Sequence, residues 1–487
     1  MLFNSYEFLF VFLPFVLLGY YCLLNSRRPG SSIPFLIVCS LFFYGWWNPV
    51  HVALILVSII VNFTIHRRIP LAAPRIGKAL LLLGVLFNLS LLAYYKYADF
   101  FIGAVSQLLG LDAQLLNIVL PLAISFFTFQ QIAFLVDTYK GLVSAVQWQE
   151  YMLFVLFFPQ LIAGPIVHHS EMMPQFNSRR IRENLPEKFS RGLILFTLGL
   201  AKKVLIADSL APVVAEVYDS DVTTAFTTYD VWLASLAYTF QLYFDFSGYS
   251  DMAIGLALLF GIQLPFNFNS PYKARSIIEF WRRWHMTLSR FLKDYLYIAL
   301  GGNRHGRGRR YRNLLLTMIL GGLWHGANWT FVAWGVLHGA YLVFNHFWRF
   351  LLRGNLVGSQ PYRFFAHTAT MLAVINAWVM FRANSWQQAL QFYRTMYDPA
   401  AFQRGTELVN ASMDTVAILV FAGLIAVLLP NTQQLAGLAA IDRTVDRLPL
   451  GKVAWRPGPA WGVVLALVLV VCSLKLHSFS AFLYFQF

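Results

Sequence analysis

The heptapeptide Leu323-Trp324-His325-Gly326-Ala327-Asn328-Trp329 sets one imidazole between two indoles at a glycine break. It lies inside an apolar run from Leu314 to Trp348, 35 residues that would extend about 50 Å as one helix, more than a single bilayer crossing needs. The break is therefore expected at membrane depth. An ionisable side chain there is costly unless it lines a cavity and has a function, so His325 is the first site candidate. A second concentration of chemistry is Phe280-Trp281-Arg282-Arg283-Trp284-His285-Met286-Thr287-Leu288-Ser289. Its alternation of aromatic and basic residues suits an interfacial helix, with indoles at headgroup level and guanidiniums at phosphate; His285 would sit at the mouth of the cavity that His325 occupies. A third is Asp245-Phe246-Ser247-Gly248-Tyr249-Ser250-Asp251. Two carboxylates and a glycine in an otherwise apolar span argue for an interrupted helix facing the protein interior.

The elements that must position these groups follow from composition. Of 487 residues 58% are hydrophobic and 12% charged, with 45 Phe, 23 Tyr and 14 Trp, more apolar surface than a soluble core requires. Apolar spans recur from Phe8–Leu24 to Trp461–Leu474. They predict an all-α polytopic membrane protein of roughly ten to twelve segments, some broken or re-entrant around a central cavity, in a single domain over 1–487. The first span lacks the basic leader and cleavage site of a signal peptide and reads as a retained helix with its N-terminus outside. Residues 148–167 contain Pro159 and Gly164-Pro165, which break helices and leave carbonyls to be satisfied by protein or water. A full crossing there would also carry the basic run Arg179 to Arg182 to the wrong side, so the segment is expected to re-enter.

The formal charge of +15 is spread over clusters between the spans. It reads as the positive-inside signal with attraction to anionic membrane lipids, and a few of these cations could meet the phosphates of a cytosolic cofactor. No basic helix or binding module points to nucleic acid. Cys22, Cys39 and Cys472 lie in apolar spans without pair spacing and read as small buried hydrophobes. On a straight helix His325 and His338 would stand roughly 20 Å apart along the axis and about 140° apart around it, so they could not share an ion. His168-His169 follows Gly164-Pro165 in an expected solvated loop. No zinc, Walker, Rossmann or nucleophile-elbow motif occurs, and no metal or bound cofactor is expected.

Seven segments together resemble the membrane-bound O-acyltransferase family, in the bacterial branch that includes the alginate O-acetylation protein, its peptidoglycan and cellulose counterparts and the teichoic-acid D-alanylation transferase. They are Leu2-Phe3-Asn4-Ser5, Ser125-Phe126-Phe127-Thr128-Phe129-Gln130, Phe158-Pro159-Gln160-Leu161-Ile162-Ala163-Gly164-Pro165, the Asp245 to Asp251 run, Trp284-His285, Trp324-His325-Gly326 and Trp378-Val379-Met380-Phe381-Arg382-Ala383. They occur in family order over nearly the whole chain.

The resemblance implies an enzyme that moves an acyl group from a cytosolic thioester, acetyl-CoA, toward a hydroxyl acceptor across the bacterial inner membrane, for O-acetylation of a polysaccharide such as alginate by a separate periplasmic acetyltransferase partner. His325 matches the principal family histidine and would serve as general base. His285 matches a second, auxiliary histidine. Trp324 and Trp329 would exclude water, and Asn328 would orient the imidazole or donate to the developing oxyanion. Asp245 and Asp251 would face the cavity, and Arg282 and Arg283 would hold donor phosphates. The ending Phe482-Leu483-Tyr484-Phe485-Gln486-Phe487 suits an aromatic interfacial anchor; by resemblance Tyr484 is an acyl relay. Two readings from other classes stay open: a secondary transporter using the histidines as a proton relay, against which no second copy of the Trp-His-Gly-Ala-Asn-Trp pattern is found, and a non-catalytic scaffold of a polysaccharide export complex.

Overall fold

The computed structural model describes residues 1–221, 224–352, 359–402, 413–438, 455, 458–476 and 482–483. Among these every regular element is helical. Among the described residues four helices are long and apolar enough to cross a bilayer, Glu7–Leu24, Pro49–Leu71, Pro74–Leu109 and Gln360–Arg382, and Pro29–Gly45, Met413–Val427 and Pro459–Lys475 are shorter apolar helices. Four clear spans is fewer than the ten to twelve expected. Other long helices carry charge or polar aromatics: Thr228–Leu259 contains Asp230, Asp245 and Asp251, and Gly306–His325 opens with four arginines. The chain divides into two compact units, Met1–Leu198 with Tyr249–Phe266, and Gly199–Gly248 with Asn267–Phe487.

In the first unit Phe8, Phe12, Phe43 and Phe158 pack ring against ring, with centroids 5.4 to 6.2 Å apart. The expected break falls between the helices Trp148–Leu156 and Phe158–Leu161. It leaves the Phe154 carbonyl to two glutamine amides, Gln130 donating at 2.8 Å and Gln160 at 2.6 Å, while the Phe158 N–H donates to Ser40 Oγ at 3.2 Å. Two of the sequence motifs are thus the two halves of one repair of broken backbone. His169 is no solvated loop residue. It opens a short helix, its side chain is mostly buried, and Nδ1 lies 3.4 Å from Asp137 Oδ2.

Of two expected helix breaks, one is corrected and the other is found. The run containing Asp245 and Gly248 is not interrupted: Thr228–Leu259 is a single 32-residue helix. Asp245 is tolerated because a lysine neutralises it, and Gly248 is needed for close approach, since a Cβ there would press on the Gly199 carbonyl. The apolar run around His325 is two helices, Gly306–His325 and Trp329–Leu352, folded back on each other as a hairpin. A Cβ on Gly322 would overlap the Phe331 carbonyl oxygen, and one on Gly335 the Met318 carbonyl oxygen, so the backbones touch where only glycine fits. His325 is the last residue of the first helix, at the turn. His338 therefore does not stand a straight helix away: both imidazoles lie against Trp334, at 5.2 and 4.7 Å.

The glycine contacts predict an asymmetry. Gly335→Ala should destabilise the protein by about 1–3 kcal/mol through overpacking, whereas Gly462→Ala, which meets no neighbour within 4 Å, should be neutral or stabilising by about 0.5–1 kcal/mol. Thermal unfolding in detergent separates the two, and equal melting temperatures would remove close approach as the reason for Gly335.

Candidate active site

All of the site described here lies in the second unit. His325 is buried in a box of rings, with centroids of Trp324, Trp334 and Phe381 at 5.0, 5.2 and 5.3 Å. Trp378 stacks on Trp334 at 5.9 Å. Arg382, which ends the Gln360–Arg382 helix, pairs with Asp219 at 2.5 Å. His285 comes to 6.3 Å from His325, centroid to centroid, so the two sequence-predicted imidazoles are brought together.

The orientation of His285 is set by backbone and by one asparagine. Its φ of +43° is left-handed, a conformation costly outside glycine that clusters at functional sites. It is bracketed by two backbone bonds, Met286 N–H to the Asn267 carbonyl and Asn269 N–H to the Arg283 carbonyl, both 2.9 Å. Asn267 Oδ1 accepts from Thr287 Oγ1 at 2.9 Å and from the Thr287 N–H at 3.4 Å. A backbone N–H can only donate, which fixes that atom as the oxygen. His285 Nδ1, 3.0 Å from the same oxygen, therefore carries the hydrogen, and Nε2 is the ring's acceptor nitrogen. Full burial pushes the His285 pKa down to about 3, so the imidazole is neutral near pH 7. His338 has the opposite tautomer, its Nδ1 accepting the Trp281 indole N–H at 3.2 Å.

Beside His285 lies a buried charge cluster. Lys203 Nζ is 2.7 Å from Asp208 Oδ1 and 2.7 Å from Asp245 Oδ1. Lys203 sits in a π-helical turn, Lys202–Ala207, that widens the helix. The other Asp245 oxygen accepts the Leu483 N–H at 3.2 Å. Phe482 packs on Phe246 at 6.2 Å, and Phe246 stands edge-on to His285 at 4.8 Å. Residues 482–483 thus arrive next to His285; Tyr484 itself lies outside the described residues.

Other predicted residues are placed differently. Trp324 is 3% exposed and walls the box, but Trp329 is 58% exposed, because it opens the second hairpin helix and faces away from the turn. Asn328 caps that helix, Oδ1 accepting the Thr330 N–H at 3.0 Å and the amide donating to the Asn384 carbonyl at 3.3 Å; its amide serves the turn and not the imidazole. Asp251 is buried in the first unit. Arg283 bonds Glu279 at 3.0 Å and the Asn269 carbonyl at 3.2 Å. Arg282 and Arg283 line a cavity of about 630 Å³ together with Arg275, Arg349 and Arg363. Sequence reasoning missed Asn267, Lys203, Asp208 and Trp334. The clearest signal for Asn267 was the non-helical Pro265-Phe266-Asn267-Phe268-Asn269 stretch, and for Lys203 a lysine inside an apolar span.

The family profile of membrane-bound O-acyltransferases matches residues 141–387, which contain His285, His325, Asn267 and the Lys203 cluster. The chain belongs to this family. Among relatives of this acyltransferase, the peptidoglycan O-acetyltransferase of Helicobacter pylori is 44% identical, over 81% of this chain and 80% of its own. The probable alginate O-acetylase AlgI of Pseudomonas putida is 40% identical over the full length of both chains. The teichoic acid D-alanyltransferase of Streptococcus thermophilus is 30% identical over 47% of this chain and 57% of its own. The protein is accordingly a membrane-embedded O-acyltransferase.

If Asn267 sets the His285 tautomer, ¹⁵N-histidine spectra should show His285 protonated at Nδ1. Asn267→Asp should then raise its pKa from about 3, because a carboxylate beside Nδ1 favours the imidazolium. A His285 resonance with the proton on Nε2 would break the assignment.

Proposed function

We propose that this acyltransferase takes an acetyl group from cytosolic acetyl-CoA and passes it across the bacterial inner membrane, as a multi-pass protein, for O-acetylation of an extracytoplasmic polysaccharide such as alginate. A separate periplasmic acetyltransferase completes the transfer. The observation that carries the reading is the pair of imidazoles, His325 and His285, 6.3 Å apart in a buried aromatic enclosure. The relatives named for O-acetylation support acetyl as the group moved.

In this mechanism His325 accepts the proton of the attacking hydroxyl as the C–O bond forms at the thioester carbonyl. The tetrahedral intermediate then expels the thiolate, which takes that proton, so a C–S bond is exchanged for a C–O bond with no net change in protons. The Trp324, Trp334 and Phe381 rings exclude water that would hydrolyse the thioester. His285, beside His325, serves as an auxiliary group that positions the substrate. Tyr484 is the first acceptor, its phenol taking the acetyl group and presenting it to the partner. Its support is the seating of the preceding residue, Leu483, on Asp245 beside Phe246 and His285.

The donor's phosphates bind in the arginine cavity that Arg282 and Arg283 line. Support for this is that two of its lining residues, Asn269 and Arg283, belong to the paired backbone that brackets His285.

His325→Gln should lower acetyl transfer on the order of 10²-fold or more in a folded, inserted protein. Tyr484→Phe should keep insertion and donor binding but abolish polymer acetylation, and wild-type protein should yield a C-terminal peptide heavier by one acetyl group. Near-normal turnover of His325→Gln sinks the base assignment; wild-type acetylated polymer from Tyr484→Phe sinks the relay. Separately, Arg282→Gln with Arg283→Gln should raise the apparent acetyl-CoA KM more than it lowers kcat. An unchanged KM would place the donor elsewhere.

A further inference from the structure

We propose that the arginine cavity and an apolar groove running out of it form a binding site for an anionic phospholipid, and that this lipid competes with the donor there. The competition rests on the donor reading above; the lipid site does not.

Five guanidiniums, from Arg275, Arg282, Arg283, Arg349 and Arg363, face one carboxylate, Glu279. Glu279 is bonded to Arg283, so the lining keeps a net of four positive charges. Arg275, Asn345, Tyr362 and Ala366 also line a second cavity, of about 330 Å³, so the two adjoin at these side chains. This second space is apolar. Ala366, Ala369 and Ala373, on one face of the Gln360–Arg382 helix, form its floor, and Tyr341, Phe344 and Trp348 of the Trp329–Leu352 helix form a wall.

The two helices run in opposite directions away from this shared end. Arg349 follows Trp348 at the end of one, and Arg363 stands in the first turn of the other. The cations therefore cluster at the mouth, while the groove follows a helix long and apolar enough to span the bilayer.

A ligand that fits both parts joins a phosphate to a long hydrocarbon chain. Acetyl-CoA satisfies the arginines, but its pantetheine arm carries two amides that an apolar groove would leave unpaired, and its acyl group is only two carbons long. An anionic phospholipid satisfies both, and basic pockets between membrane helices are suited to such headgroups. A zwitterionic lipid would bring its own cation to the arginines and is disfavoured. Because the phosphates of lipid and donor would use the same guanidiniums, occupancy by one excludes the other, and the lipid composition of the membrane sets the apparent donor affinity.

The full chain reconstituted in nanodiscs of phosphatidylcholine with added phosphatidylglycerol tests this by native mass spectrometry. Wild-type protein should retain phosphatidylglycerol in preference to phosphatidylcholine, and Arg349→Gln with Arg363→Gln should weaken that retention about tenfold or more. Glycerol 3-phosphate, which has the headgroup chemistry without the chain, should not displace the lipid; displacement would assign the site to soluble phosphate esters. Ala369→Trp, on the exposed groove floor and outside the arginine cavity, should abolish lipid retention and leave the acetyl-CoA KM in pure phosphatidylcholine unchanged. In wild-type protein that KM should rise with the phosphatidylglycerol fraction, and in Ala369→Trp it should not. Equal retention of both lipids, or retention indifferent to these substitutions, overturns the site. Absence of turnover from acetyl-CoA in every lipid removes the donor reading and the competition with it, while retention still decides the lipid site.

Discussion

Lys203 holds a single ammonium 2.7 Å from each of two carboxylates, Asp208 and Asp245, with all three side chains nearly out of reach of water. Burying an ion costs several kcal/mol, recovered only when geometry is close and the remaining polar atoms are satisfied. Here they are: one Asp245 oxygen faces the lysine and the other takes the Leu483 N–H. The lysine thereby ties three stretches of chain together, its own helix, the long helix through Asp245 and residues 482–483. Loss of the lysine would strand two buried carboxylates, at a cost of about 3–5 kcal/mol. The long helix can carry a carboxylate in its middle and remain continuous for this reason, and Phe246, the next residue, is thereby fixed against His285.

The aromatic enclosure depends in turn on the hairpin. Gly322 and Gly335 let the two helices approach until their backbones touch, which delivers Trp334 from the second helix against His325 at the end of the first. Trp378 and Phe381 close the far side from another helix. His325 is thus walled by rings from three helices, while the His285 ring is oriented through Nδ1 by the Asn267 side chain.

Much of this was legible in the sequence. Periodicity and composition showed an all-helical membrane protein, and the Trp-His-Gly pattern marked His325. The Pro159 and Gly164-Pro165 signals marked a broken helix, and its repair by Gln130 and Gln160 explains why those glutamines belong to motifs. Other features could not be read. A glycine in an apolar run signals either a break or a close approach, and only tertiary packing decides: Gly326 marked a turn, Gly248 did not. Trp329 and Asn328 adjoin the histidine in sequence, yet the turn sends one outward and commits the other to a helix cap. Asn267 and Lys203 act over separations of 18 and 42 residues, beyond what local pattern reports. The count of crossings stayed out of reach because polar and charged residues satisfied inside the protein mask helix hydropathy.

The π-helical turn at Lys202–Ala207 makes chain length as important as residue identity in this stretch. A π-turn accommodates one more residue than the α-helix it interrupts, and each α-helical residue advances the direction of the next side chain by about 100°. Deleting a single residue there, even a bland one such as Ile206, would let the helix relax to regular geometry and swing Asp208 away from Lys203. Within this segment a substitution alters one side chain, whereas a change of length alters the phase of everything beyond it.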